Sequence, residues 1–496
     1  MCDRLLIACA CVNDGDTVCC PLLHYIVRKF KLLLFTIRER CVTVNSEIKL
    51  QRSLTLLPAV LFGLAFMSLG TVFSTFGIAS VESHGMIVGS YILALVVMLF
   101  TAYSYGQMAK AYPISGAAYS YVQRSIHPHL GFMVGWSILM DYLFTPMVNF
   151  LLFRIYFAAS FPSVPEYVWV LLMIVTVGFV NIKGITLASI VNRIIISSVV
   201  LFLLIFCILS IHTVLNGTGT ATLATSTPVF NPQESFSLLV AGAAILCFSF
   251  LGFDSVSTLS EETINPEKTI PKAIFISTLI GGLIFIFVAY VTYCVWPDYT
   301  TFKDPSSVSL DIIKLVGGNV LAAFFLAVKA VGFFASAVAS QASTSRVLYS
   351  MGRDGQLPRS FFGTLHPKFQ TPVNNILLIS AFSLLALFLS LDLVASFINF
   401  GAFFAFTCVN IAVIKHYFID RKQETARSFK SFLSHLLVPA IGAGLDIWML
   451  INLDGYSKLL GAVWFVIGLV YLAFKTRGFR RKSPSIPEAD RIIEQA

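Results

Sequence analysis

About a dozen stretches of nearly 20 apolar residues run through this chain, and they decide what kind of fold it can adopt. A helix of about 20 apolar residues is long enough to cross the hydrocarbon core of a bilayer. Charged residues make up 12% of the 496 residues, against about 25% in an ordinary soluble domain. The sequence therefore predicts an all-α polytopic membrane protein with 12 transmembrane helices, and it excludes fibrous, disordered and nucleic-acid-binding proteins. The predicted cores are residues 57–80, 88–109, 130–153, 166–182, 194–215, 236–258, 273–296, 319–345, 373–391, 393–418, 432–452 and 457–475.

The positions of the basic residues predict how these spans are oriented. An even number of spans places both termini on one side, and if that side is the cytoplasm, 29 of the 34 Lys and Arg residues lie there and four lie outside. Cytoplasmic segments carry such an excess of Lys and Arg. We therefore expect a multi-pass protein of the cell membrane, inner or plasma, with both termini cytoplasmic. The side that holds the 29 residues is called the basic side below.

The first 53 residues form a cysteine-rich, basic tail. It contains six of the ten cysteines and a basic amphipathic stretch, residues 22–40, which is expected to lie against anionic lipid of the inner leaflet. Cysteines on the reducing side of a membrane do not build a disulfide framework. Their spacing does not match a structural zinc site either, so no metal is predicted.

Two spans are interrupted midway by small and polar residues. The first contains the run from Met67 to Gly77, which is rich in Gly, Ser and Thr, and the sixth contains the run from Phe248 to Ser257, which also includes an acid. Interrupted helices occur in a membrane only where they line a site or are buried in protein. Close helix packing accounts for one such patch taken alone. Interruptions at matching positions of two halves instead indicate an inverted-repeat secondary transporter.

Several motifs resemble those of the amino acid–polyamine–organocation superfamily. FSFLGFDSVSTLSEETINPEKTIPKAI, beginning at Phe248, resembles its sixth-helix signature, and YPISGAAYSYVQR, beginning at Tyr112, resembles its stretch before helix three. Further similar segments are GFMVGWSILMDYLF, SRVLYSMGRDGQLP and INFGAFFAFTCVN. Within the superfamily the pattern is most similar to the bacterial putrescine importers. The resemblance covers residues from about 54 to 475.

The resemblance implies a fold and a mode of action. Helices 1–5 and 6–10 would form a five-plus-five inverted repeat around a central site, with helices 11 and 12 peripheral. The activity implied is import of an organic amine, a polyamine or an amino acid, by alternating access and proton symport. It requires no cofactor beyond the proton gradient, and the chain has no Walker A, HExxH or GxSxG pattern that would suggest an enzyme. The implied regions are 1–53, 54–215, 216–418, 419–475 and the cytoplasmic tail 476–496.

The central site is predicted at the two interruptions and on the third span. Asp254 follows the sixth interruption, where a carboxylate can pair with a substrate ammonium or carry a proton. An acid there also suits the N-terminus of the following half-helix. Asp141 and Tyr142 lie in the third span, where a second ammonium contact or proton relay competes with structural bonding or packing. The other predicted substrate-binding residues are Ser68, Gly70, Thr71, Ser74, Phe248, Ser249 and Gly252.

Two positions depart from the putrescine-importer pattern. Lys329 places a cation about ten residues into the eighth span, where it is expected to neutralise Asp141 or Asp254, to titrate as the coupling group, or to extend outward. Ser74 stands where the importers carry an acid after the first interruption. Together these changes make the central region more positive by about two charges. The resemblance therefore favours a polyamine, whereas the charge favours an amino acid.

The loop after the sixth span predicts an inner gate. Glu261 or Glu262 is expected to pair with basic residues of the segment from Arg346 to Arg353, although an ordinary solvated loop is the alternative. The predicted partners are a small-molecule amine or amino acid, protons and membrane lipid, with no nucleic acid and no predicted oligomeric state. An amino acid antiporter and a transporter-like sensor without turnover are the alternative functions.

Overall fold

The fold is a set of helices, as the apolar segments predict. The computed structural model describes residues 52–478, apart from 115–116, 161–162, 221, 304, 306–307, 354, 356, 390, 421–428 and 454. The predicted lipid contact of residues 22–40 and the tail cysteines lie outside these residues. The α-helices are α1 (Leu56–Met67), α2 (Thr71–Glu82), α3 (Ile87–Ala111), α4 (Ala117–Ser125), α5 (Pro128–Ser160), α6 (Glu166–Lys183), α7 (Ile185–Leu215), α8 (Phe236–Leu246), α9 (Pro266–Val295), α10 (Val308–Arg353), α11 (Arg359–Phe362), α12 (Val373–Phe382), α13 (Leu391–Val413), α14 (Phe429–Phe432), α15 (Val438–Ile451) and α16 (Gly455–Lys475).

The described helices match eleven of the 12 predicted spans in length and composition. Among the described residues, ten helical segments are long and apolar enough to cross a membrane, and the bent pair α1–α2 makes an eleventh. The ninth predicted span, 373–391, is shorter than expected, because its apolar helix covers only Val373–Leu387. The eighth is longer, since α10 begins before the predicted core and includes a kink at Gly318. The all-α polytopic fold is confirmed, and the boundaries of the five predicted regions stay a prediction.

The outer helices expose apolar side chains at helical spacing. On α7, Leu201, Leu204 and Ile208 are each more than half exposed, and on α16 Leu459 and Val466 are as well. Such a row is unfavourable in water and suits contact with lipid tails. These faces therefore mark where the bilayer surrounds the helices.

Both predicted interruptions are present. Helix α1 ends at Met67, the backbone turns at Ser68 with φ of 51°, and α2 continues from Thr71 at an angle of 45° to α1. Helix α8 ends at Leu246, and Gly252 has φ of 112° in the gap that follows. A chain that turns twice within the membrane leaves backbone groups free for other partners.

The second half of the sixth span is a 3₁₀ helix, Asp254–Glu262, rather than an α-helix. Its hydroxyl side chains explain the difference. Ser255, Thr258 and Ser260 each donate to the carbonyl oxygen three residues earlier, at 2.5–2.6 Å. Hydroxyls that bond nearby carbonyls compete with the α-helical pattern, and three such bonds in succession favour the tighter helix.

A proline inside α5 ties the third span to the eighth. Pro146 has no N–H, so the carbonyl of Tyr142 loses its usual partner four residues later. The hydroxyl of Thr344 on α10 donates to this carbonyl at 2.6 Å. The bond restores the missing partner and holds α5 and α10 together beside the central site.

The eleventh span is anchored by a buried acid. Asp446 on α15 accepts hydrogen bonds from Thr101 of α3 at 3.0 and 3.1 Å and from Asn410 of α13 at 2.8 Å. The Asp446 side chain is fully buried. A carboxyl held by two neutral donors on two helices fixes α15 against the bundle.

Gly252 is a position at which a side chain is poorly tolerated. Its φ of 112° is unfavourable for any L-residue, and a Cβ would overlap the ring of Phe66 at the end of α1. We expect Gly252→Ala to lower the thermal denaturation midpoint strongly and to reduce the yield of monodisperse protein. The control is Gly444→Ala, an open position on α15 where nothing lies within 4 Å of the added Cβ. That change should stabilise the helix by about 1 kcal/mol. Equal midpoints for the two variants would contradict the prediction.

Candidate functional site

The two interruptions meet in the middle of the bundle. The hydroxyl of Thr75 on α2 lies 3.4 Å from that of Ser249 in the sixth interruption and 3.0 Å from that of Tyr91 on α3. Phe66, at the end of α1, contacts Gly252. Of the other predicted residues, Ser68, Gly70, Thr71 and Ser74 lie on the first interruption and Phe248 lies on the sixth. The structure thus brings both predicted segments together.

Thr71 stabilises the turn between α1 and α2. Its hydroxyl donates to the carbonyls of Met67 and Ser68, at 3.2 and 2.7 Å. The Met67 carbonyl belongs to the last turn of α1, whose carbonyls the break leaves without α-helical partners, and Ser68 is the residue at which the backbone turns. The geometry therefore gives Thr71 a backbone-bonding role within the predicted site.

Asp254 lies at the start of the 3₁₀ helix and faces the third span. Its Oδ2 accepts a hydrogen bond of 2.6 Å from the hydroxyl of Tyr142, whereas its Oδ1 is buried and has no hydrogen-bond partner. The first turn of a helix also favours an acid, so the position is compatible with a capping role for Asp254 at the N-terminus of the second half of the sixth span. A buried carboxylate oxygen with no donor is costly, because it has lost water without replacement. It is therefore a place where a ligand donor can bind.

Asp141 is the second buried carboxyl of this region. Its Oδ1 accepts a hydrogen bond of 2.9 Å from Thr145 on the next turn of α5. Asp141 and Asp254 are each only 1% exposed. Within the described residues, neither carboxyl has a Lys, Arg or His within 4 Å. We call Asp141, Tyr142 and Asp254 the carboxyl pocket.

Lys329 does not neutralise this pocket, and it does not extend outward. It is 3% exposed, and its Nζ donates to the carbonyl of Gly70 and to the hydroxyl of Ser74, both at 2.7 Å. The two departures from the importer pattern are therefore the two ends of one hydrogen bond. The ammonium thus lies at the first interruption and bonds the backbone and a side chain at the start of α2.

Aromatic rings surround this lysine. The Nζ lies 5.1–5.9 Å from four ring centroids, which suits an ammonium that has left water. A cleft opens beside it, lined in part by Ser68, Phe202 and Gly332. The four rings are those of Phe73, Tyr156, Phe325 and Phe333.

The predicted gate residues form two ion pairs on the basic side. Arg346 contacts Glu262 at 2.6 Å with both side chains at most 8% exposed, and Arg353 contacts Glu261 at 3.2 Å with 31% and 23% exposed. The two arginines lie in the last turns of α10 rather than in a loop. The pairs join the end of the sixth span to the end of the eighth.

A short backbone bridge reinforces this end. The N–H groups of Ser53 and Leu54 donate to the carbonyl of Glu262 at 2.9 and 3.0 Å, and Ile264 donates to the carbonyl of Leu54 at 2.8 Å. Leu54 and Thr263 thereby pair as a parallel β-bridge. The segment before α1 is thus fixed to the segment that holds the gate ion pairs, which the sequence pattern did not predict.

Other residues beside the carboxyl pocket were also missed. Tyr105 on α3 and Tyr121 on α4 are fully buried, with ring centroids 6.3 Å apart. The Tyr105 ring lies 5.7 Å from that of Phe253, the residue before Asp254. The sequence signal for both was weak, because tyrosine in an apolar or amphipathic helix is usually a packing residue.

Known transporters are similar to this chain over most of their length. The amino acid permease family matches residues 61–477. The chain is 41% identical over 444 residues to the low-affinity putrescine importer PlaP of Escherichia coli (strain K12), covering 89% of this chain and 98% of the importer. It is 27% identical over 460 residues to the methylthioribose transporter of Bacillus subtilis (strain 168), covering 86% and 94%. The branched-chain amino acid permease BcaP of the same organism is 26% identical over 451 residues, covering 88% and 95%.

The two gate ion pairs are expected to differ in their contribution to stability. Removing one partner of a buried pair costs about 3–5 kcal/mol, whereas a more exposed pair contributes about 0.2–1 kcal/mol. Glu262→Gln should therefore lower the thermal denaturation midpoint clearly, and Glu261→Gln should lower it little. The two variants are matched controls, because they make the same chemical change at adjacent positions. A larger loss for Glu261→Gln would contradict the prediction.

Proposed function

The chain belongs to the amino acid permease family, and we propose that it imports an organic cation of the diamine class, with putrescine as the first candidate. It is a multi-pass membrane transporter and not an enzyme. The carboxyl pocket is the observation that supports the substrate most directly. Two carboxyls are buried at the meeting point of the interrupted helices, and the described residues place no basic side chain within 4 Å of them.

A cationic substrate would offset the free-energy cost of burying these two carboxylates. A buried carboxylate without a counter-ion is strongly destabilising, and Asp141 and Asp254 repel each other when both are charged. A diamine supplies two ammonium groups and up to six N–H donors. The 41% identity to a putrescine importer supports the same class of substrate.

Lys329 is the favoured site of proton coupling. Its acceptors, Gly70 and Ser74, belong to the first interruption, whereas Lys329 itself is on α10. A movement of α1 and α2 relative to α10 would separate the ammonium from both acceptors. An ammonium that loses its acceptors in an apolar setting releases its proton more readily. In this proposal, protonation of Lys329 follows the alternating movement, and Asp254 and Asp141 bind the substrate.

The basic side is closed in this conformation and would open to release the substrate. The two gate ion pairs and the bridge at Leu54 hold the ends of the first, sixth and eighth spans together. In the proposed orientation this side faces the cytoplasm, so substrate enters the site from outside. Separation of these pairs then opens the release path.

An amino acid is the second candidate substrate, and Lys329 favours it. The cleft beside this ammonium is lined by Ser68 and Gly70, where a substrate carboxylate would meet a positive charge. The ammonium group of the same molecule would then bind Asp254. The two candidates differ in whether a carboxylate is required for recognition.

Uptake into proteoliposomes tests the substrate. Labelled putrescine should accumulate saturably under an inward proton gradient and should resist competition by lysine, a neutral amino acid and glutamate. Asp254→Asn should reduce this uptake by about 100-fold or more, because a buried ammonium loses its charged partner. The control Asp311→Asn removes an exposed acid at the start of α10 and should retain the wild-type rate. Accumulation of an amino acid in place of putrescine would select the second candidate.

The coupling role of Lys329 has its own test. Lys329→Met should still exchange labelled for unlabelled putrescine at equal pH, but it should lose accumulation driven by the proton gradient. The reason is that exchange needs only substrate binding, whereas accumulation needs the titrating group. The control Lys314→Met removes an exposed lysine of the same helix. If Lys329→Met accumulates putrescine at the wild-type level under the proton gradient, the proposal for Lys329 is wrong and Asp141 or Asp254 is the coupling group.

A further inference from the structure

Several buried hydroxyls beside Asp254 take part in none of the hydrogen bonds described so far. The side-chain oxygens of Tyr105, Tyr121 and Ser257 are buried and have no hydrogen-bond partner, and the same is true of Oδ1 of Asp254. Tyr105, Tyr121 and Ser257 are all 0% exposed. Buried hydroxyls are usually paired, so such a group of exceptions within one region requires an explanation.

These residues come from three helices and converge on one region. Tyr105 belongs to α3, Tyr121 to α4, and Ser257 lies one turn after Asp254 on the 3₁₀ helix. The ring centroids of Tyr105 and Tyr121 are 6.3 Å apart, and the Tyr105 ring lies 5.7 Å from that of Phe253, the residue before Asp254. These side chains therefore lie close together beside Asp254.

Aromatic rings pack around Tyr105. The Tyr105 ring meets the rings of Phe253 and Phe406 edge to face, each at 5.7 Å between centroids. The Phe253 and Phe406 centroids are 5.3 Å apart. Oxygen acceptors within an aromatic wall suit a primary ammonium, which offers three N–H donors and is attracted by ring faces.

We propose that Tyr105, Tyr121, Ser257 and the free oxygen of Asp254 form a subsite for one primary ammonium of the substrate. This inference rests on the proposed function and deepens it, because it names the groups that recognise one end of a diamine. The subsite lies toward the basic side, so it holds the end of the substrate that leaves first. The hydroxyls act as specificity-determining acceptors, while Asp254 supplies the charge.

Tyrosine-to-phenylalanine substitutions test the subsite, because they remove one oxygen and keep the ring. Tyr105→Phe and Tyr121→Phe should each raise the KM for putrescine about tenfold or more, as expected for the loss of one hydrogen bond to a charged group. The maximal uptake rate should change little. The thermal denaturation midpoint should stay the same or rise, since the change deletes a buried hydroxyl that has no partner in the protein. Ser257→Ala should have the same direction of effect on KM.

Tyr290→Phe is the matched control. Tyr290 lies on α9 away from the site, and its hydroxyl donates to the carbonyls of Leu223 and Thr225. Its loss should lower the denaturation midpoint and leave the KM unchanged, which is the opposite pattern.

The outcomes separate the subsite from the proposed function. If the wild-type protein takes up putrescine but Tyr105→Phe and Tyr121→Phe retain its KM, the hydroxyls hold only water and the subsite is overturned. If the wild-type protein takes up an amino acid and no putrescine, the proposed function fails. The subsite is then judged by the KM of that amino acid, which the same variants must raise through its ammonium group.

Discussion

The structure depends on how the backbone carbonyls freed by broken helices find donors inside a membrane. In a soluble protein water would satisfy them, whereas here a neighbouring side chain must. Helix α10 supplies one such donor and also bonds α2 directly. Ser336 donates to the carbonyl of Phe66 in the last turn of α1, while Lys329 and Ser309 donate to the carbonyls of Gly70 and Phe73 at the start of α2. Together with Thr344 at the proline of α5, these bonds make α10 the support on which the first and third spans rest.

This support separates two regions of opposite charge. The ammonium of Lys329 is held at the first interruption, and the carboxyls of Asp141 and Asp254 are held on the other side of the meeting point. A count of charges along the sequence treats them as one region and concludes that a dication is disfavoured. The structure changes that conclusion, because Lys329 bonds to Gly70 and Ser74 and forms no described ion pair with either acid. Neither acid of the carboxyl pocket is therefore paired with Lys329.

The spans, both interruptions and the pairing of the gate residues could be predicted from the sequence, because each has a local signal. Apolar length marks a span, Gly and Ser mark a break, and a Glu pair followed by distant arginines suggests a gate. The partner of Lys329 could not be predicted, since it is a backbone carbonyl about 260 residues earlier in the chain. The proposed role of Tyr105 and Tyr121 could not be predicted either, because their side chains come together only when α3 and α4 pack. The 3₁₀ form of Asp254–Glu262 likewise depends on hydroxyl bonds that an apolar pattern does not encode.

The bridge between Leu54 and Thr263 has a mechanical consequence. It joins the second residue before α1 to the residue that follows the 3₁₀ helix of the sixth span, so two half-helices from different parts of the chain are bonded to each other at one end. A swing of either half pulls the other through three backbone hydrogen bonds. As long as these bonds hold, the two half-helices move together at this end.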